Sequence, residues 1–234
     1  MVSGSVIRVS DIDVSKLTFS EPQKLQSGGT TIYLKHNNEQ LFVQFPAMKC
    51  PYGLSFYPLD SKLDTAERCN LDISMTGWDT LPNMKDAYNA LTGFESAVLD
   101  KALECSQQWF KKKYNSKDVV QAIFTPLVKH SKDKDTGEIT NKYPPVIKVN
   151  IPKKNGQFEL DVYNDKKEVV PFDSVNFKGA HVTVIAQITG IWIIAGKFGI
   201  TVKAKQMKVN PQQFIKGYAF MEDSDDEMTG VEDM

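Results

Sequence analysis

Lysines and aromatic rings share alternate positions on several strand-like segments of this 234-residue sequence. That pairing suits the holding of a flexible polyanion. In KFGITVKAK, Phe198, Ile200, Val202 and Ala204 fall on one face of an extended chain, and Thr201, Lys203 and Lys205 on the other. Two rises of ~3.4 Å set such lysines about 7 Å apart, near the reach between successive phosphates of a stretched single strand. Alone, this is also the ordinary pattern of a solvated strand face. Recurrence raises it: Tyr33 and Lys35 share an outward face, Lys148 occupies another between Val146 and Asn150, and Lys153 and Lys154 extend the charge. Exposed rings beside such lysines would stack bases for roughly 1–3 kcal/mol each while the lysines track phosphates. The candidate rings are Tyr33, Phe42, Tyr52, Phe56, Tyr57, Tyr143 and Trp192. Phe45, Phe158 and Phe198 sit on inward faces and read as core. The polar stretch from Lys129 to Tyr143 offers Lys129, Lys132 and Lys142 as a clamp; with Lys134 it holds four lysines, which Asp133, Asp135 and Glu138 nearly balance.

The charge is divided along the chain. All 28 basic residues lie in residues 1–220, against 22 of the 29 acidic ones, so the body carries a net +6. The remaining seven carboxylates (Glu222, Asp223, Asp225, Asp226, Glu227, Glu232 and Asp233) crowd the last fourteen residues, which hold no Lys or Arg. A basic body attracts polyanions. An acidic strand on the same chain can imitate one and compete for the same groove, or recruit protein partners.

Other chemistries find less support. His36, His130 and His181 sit in separate segments, and a surface or structural role suits each. No P-loop, G-x-S-x-G, H-E-x-x-H or dinucleotide fingerprint occurs. The densest carboxylate cluster is the tail, which cannot hold two metal ions at fixed separation. Neither catalysis, nor a metal, nor a cofactor is expected. Cys50, Cys69 and Cys105 are odd in number and widely spaced, which argues against a disulfide framework or a zinc site and for a reducing compartment. No apolar run reaches the ~18 residues of a membrane span, and the start of the sequence has no secretory pattern.

The elements that would position these residues are mostly strands. Residues 30–36 and 41–45 alternate and, with Asn37-Asn38 between them, predict a β-hairpin. Further strands are expected over 69–78, 119–128, 146–151, 181–194 and 197–209. One helix is expected over 83–113, from the stripe Met84, Ala87, Leu91, Phe94, Val98, Ala102, Cys105 and Trp109; Gly93 could kink it. Residues 1–220 then form one domain and 221–234 a disordered tail. The pattern fits a mainly β fold, an OB-type antiparallel barrel elaborated by extra strands and an inserted helix. A β-sandwich is the alternative.

Three strings, FPAMKCPYGLS, KDKDTGEITNKYPPVIKVNIP and IWIIAGKFGITVKAKQMKV, together resemble the single-stranded DNA-binding protein family of large nucleocytoplasmic DNA viruses, of the asfarvirus and phycodnavirus kind. The resemblance spans most of residues 10–210. It implies an OB-type fold, sequence-independent binding of single-stranded DNA in viral replication or repair, and a site of action in the cytoplasm or nucleus of an infected cell. Its motifs draw attention to Lys142, Tyr143, Lys148, Trp192, Lys197, Phe198, Lys203 and Lys205. The expected partners are single-stranded DNA or RNA and replication proteins on the tail, with homo-oligomers possible and no membrane. A non-enzymatic adaptor that binds protein partners is the rival expectation.

Overall fold

The structure is a computed structural model that describes residues 5–210 apart from 27, 60, 64 and 155. The acidic tail, with all seven of its carboxylates, lies outside the described residues.

Two long antiparallel strands form the spine: β4 (His181–Ile194) and β5 (Lys197–Asn210). They are joined by Ala195-Gly196, both at positive φ, as a two-residue hairpin turn requires. Three earlier strands complete a ring with them. We number these β1 (in three pieces, Thr30–His36, Leu41–Gln44 and Met48–Lys49), β2 (Arg68–Ser74) and β3 (Val146–Ile151). β1 runs antiparallel along the free edge of β4 and turns onto β2 at Lys49↔Ser74. β2 pairs antiparallel with β3 over six residues. β3 meets β5 in parallel at Asn150↔Lys203. The ring order is therefore 1-2-3-5-4-1, with the single parallel contact between strands three and five. This is the closed Greek-key order of an OB-type barrel.

The barrel is filled as alternation dictates. Ile32, Leu71, Ile73, Ile147, Val149, Ile188 and Phe198 point inward and are fully buried. Between β2 and β3 the chain inserts α1 (Pro82–Glu104), α2 (Ser106–Phe110) and α3 (Lys117–Ala122). The stripe Met84, Ala87, Leu91, Phe94, Val98 and Ala102 lies buried within the same core.

Four expectations need correction. Residues 30–45 form a hairpin only at its tip. Asn37 and Asn38 turn the chain at φ 52° and 63° and His36 bridges Glu39 across them, but the flanking strands pair in series with β4 rather than with each other. The long helix is not divided at Gly93, through which α1 runs unbroken; it breaks at Cys105, where the chain restarts as α2. Residues 119–128 are not one strand. Ser116 caps α3 by accepting the N–H of Asp118, and two short strands follow, Phe124–Thr125 and Val128–Lys129. Finally, the lysine ladder on β5 is interrupted. Ala204 faces Ala186 but Gln206 faces Ile185, so Lys205 occupies a bulge.

Candidate nucleic-acid interface

β3 and β5 touch only at Asn150↔Lys203 and then splay apart. The segment between α3 and β3 fills the fork. Phe124–Thr125 pairs with β5 at Phe198 and Gly199, and Val128–Lys129 pairs with β3 at Val146 and Ile147. Helix α1 fixes this wedge from below: the Glu95 carboxylate accepts the backbone N–H groups of Leu127 and Val128. Burial pushes the Glu95 carboxyl up to about 7, although both N–H bonds pull it down.

Around the fork, outward side chains from four separate segments meet. β3 contributes Lys148 and Asn150, the wedge Lys129, β5 Lys203 and β4 Trp192. Asn150 donates its amide N–H to the Val202 carbonyl at 3.1 Å, which ties the two strands where they part. Its amide oxygen has no partner among the described residues. Lys148 lies 3.9 Å from Asp72 on β2. Burial pushes the Lys129 ammonium down, as does the charge of Lys148, against the opposite pull of Asp72. Trp192 lies opposite Gly199, and a Cβ there would stand 2.7 Å from the indole. The glycine is the bed on which the ring rests. Tyr33, 46% exposed, stands on the neighbouring strand diagonally from Trp192. Farther along the same face Arg68 lies 5.4 Å from the Tyr57 ring centre, and Asn70 pairs with both Ser55 and Asn150. Together these make a basic stripe with rings at intervals.

The structure thus brings Tyr33, Tyr57, Lys129, Lys148, Trp192 and Lys203 onto one outer face, and separates the other candidates. Phe42 has the outward parity expected of it but is 3% exposed, because its strand is walled by β4 on one side and Val6–Arg8 on the other. Phe56 pairs with Cys69 on the inward side of β2 and packs against the core. Phe42 is closed off from a base, and Phe56 is turned toward the core and half-buried. Lys205 is half-buried at its bulge. Lys35 is exposed beyond the end of this face, opposite Thr18, and Lys197 stands exposed at the hairpin tip. Tyr52 is exposed in the loop before Leu54–Tyr57. Lys132, Lys142 and Tyr143 belong to a separate two-stranded arm, Ser131–Lys132 with Ile139–Thr140, where Lys142 lies 5.6 Å from the Tyr143 ring. His130 anchors the base of that arm: Tyr88 Oη lies 3.1 Å from its Nε2, and Trp78 packs on Tyr88. Burial pushes the His130 imidazole down, which suits a structural ring. Among the described residues no three His, Cys, Asp or Glu side chains gather as a metal would need.

Sequence reasoning missed Arg68, Asn70, Asp72 and Asn150. Their outward parity on β2 and β3 was readable, but polar strand positions carry no mark that distinguishes a groove from ordinary solvated surface.

An OB-type barrel whose basic, ring-bearing outer face covers strands two and three is the class that fold and geometry define; this is the face on which such barrels take up oligonucleotides. More narrowly, residues 79–222 match the family of unknown function DUF5871, and the chain belongs to it. No curated protein matches the sequence. Among solved structures, the chain is similar to the single-stranded DNA-binding protein from bacteriophage Enc34, at 12% identity and TM-score 0.43 over 89% of this chain and 98% of that one. It is similar to the same protein in complex with single-stranded DNA, at 10% identity and TM-score 0.44 over 86% and 99%. It is also similar to gp2.5, a single-stranded DNA binding protein encoded by bacteriophage T7, at 10% identity and TM-score 0.37 over 83% and 98%. These are phage proteins, and they do not bear out the large nucleocytoplasmic DNA virus type expected from the sequence. The fold assignment rests on strand order and not on these likenesses.

Proposed function

We propose that this chain is a non-enzymatic binder of single-stranded DNA with little sequence preference, acting in DNA replication or repair. The observation that carries the proposal is the convergence of Lys129, Lys148, Lys203 and Trp192, from segments far apart in sequence, around the fork between β3 and β5. Lysines there would hold phosphates, and Trp192, Tyr33 and Tyr57 would stack bases. In this reading the acidic tail competes for the same face until DNA or a protein partner displaces it.

The test is fluorescence anisotropy with labelled single-stranded and duplex DNA at two salt concentrations. Each phosphate held on a single strand contributes about 0.7 to the slope of log affinity against log salt. Replacing Lys129, Lys148 and Lys203 with Ala should therefore flatten the slope by about 2. Between 50 and 200 mM salt the natural chain would then lose roughly 20-fold more affinity than the variant. A chain ending at Phe220 should bind more tightly than the full chain. An unchanged slope in the triple variant would reject this face. If neither chain length binds at low salt, a protein-binding adaptor becomes the better account.

A further inference from the structure

The fork between β3 and β5 does more than collect charge. Where the strands part, the wedge leaves a cavity of about 130 Å³ open to the outer face. Its apolar walls are the Trp192 ring, Ile200, Pro126 and Leu127, and its polar rim is Lys129, Lys148 and Asn150, with Thr125 at the side. A protein cavity of about 150 Å³ holds one benzene ring. This one therefore has room for a single six-membered ring and not for a fused bicycle.

The rim has a definite hydrogen-bonding character. Lys129 and Lys148 can only donate, whereas the Asn150 amide oxygen can only accept, and one of the two amide N–H groups beside it is committed to the Val202 carbonyl. The Leu127 and Val128 N–H groups are committed to Glu95, so neither competes with the rim as a donor. A donor beside an acceptor matches the edge of a pyrimidine base, which presents a carbonyl oxygen next to an N–H or an amino group.

We propose that this cavity is a single-base pocket that takes a pyrimidine, stacked on Trp192 and read at its edge by Asn150 and the two lysines. The inference rests on the single-strand reading above and adds to it a local composition preference within otherwise indiscriminate binding. A purine at that position would lie outside the cavity and lose its stack.

The experiment uses the full chain and a uniform deoxythymidine strand just long enough to fill the binding face. One deoxyadenosine is placed at each position in turn. Single replacements keep base–base stacking of the free strand out of the comparison. The expected result is one position at which the replacement weakens binding by roughly 10-fold, within the range set by the loss of one base stack, while the other positions respond little. Trp192→Ala should remove that position dependence. Equal affinity at every position in the natural chain would overturn the pocket, and so would a dependence that survives Trp192→Ala. If Trp192→Ala does not fold, the scan of the natural chain decides alone. Failure of every strand to bind would bring down the single-strand reading itself, a different outcome from a flat scan on a chain that binds.

Discussion

Replacement of Glu95 by Gln tests the support beneath the wedge. The folded chain holds the Glu95 carboxyl at about 7, against an ordinary value of 4.5, because the group is buried in α1 under Leu127 and Val128. A raised carboxyl means that the folded state keeps its proton to higher pH than the unfolded state does. Between pH 4.5 and about 7 the folded chain binds more protons, so its stability falls as pH rises through that window and stays lower above it. A difference of about 2.5 units at ~1.4 kcal/mol each gives at most about 3 kcal/mol. Glu95→Gln keeps an oxygen for both N–H groups but never ionises. It should remove this part of the pH dependence and leave the variant more stable than the natural chain at pH 8, by up to about 3 kcal/mol. Urea unfolding at pH 5 and pH 8 measures it. Glu95→Ala serves as the control. It removes the acceptor as well as the charge and should destabilise at both pH values, since each orphaned buried N–H costs ~1–3 kcal/mol. Parallel pH curves for the natural chain and Glu95→Gln would refute the argument, as would a Gln variant that is weaker at pH 8 than at pH 5 relative to the natural chain.

Two glycines give sharper tests of geometry. Gly190 sits at φ 151°, and a Cβ there would lie 2.0 Å from the Ile32 carbonyl oxygen of the adjoining strand; Gly190→Ala should cost several kcal/mol, seen as a fall in the thermal midpoint, because backbone cannot yield as a flexible side chain can. Gly199→Ala should displace the Trp192 ring. Its expected signature is weaker single-strand binding and altered tryptophan fluorescence, with a smaller fall in the thermal midpoint than Gly190→Ala.

The parts of the fold that the sequence announced are those with an uninterrupted period. The two long strands at 181–194 and 197–210 and the helical stripe from Met84 to Ala102 appear in the structure as expected, because one buried face imposes its period over most of each, with breaks only at the bulges. The misreadings occur where tertiary pairing decides. Asn37-Asn38 has turn chemistry in either arrangement, and only β4, far along the chain, determines that the flanking pieces pair in series. Val119, Val120 and Ile123 look strand-like by propensity, yet a Ser116 cap and the α1 surface hold them as a helical turn. The bulge at Lys205 leaves no signature in composition. At the site, parity identified Tyr33, Lys148 and Lys203. It could not tell that Phe42, equally outward, is walled in by neighbouring strands, nor that Asp72 would sit among the lysines.

The placement of the spine has a consequence for synthesis. β4 and β5 are the last described strands, yet β1 has its barrel edge on β4 and β3 meets β5. Until residues 181–210 leave the ribosome, β1 lacks its barrel partner β4, whatever pairing the earlier segments give its other edge, and the ring cannot close. The first 180 residues therefore wait, at ~5–20 residues per second, with an open edge and a half-covered core. Once the final hairpin emerges, its own close-range pairing supplies a template, and barrel closure and assembly of the β3–β5 fork become one event.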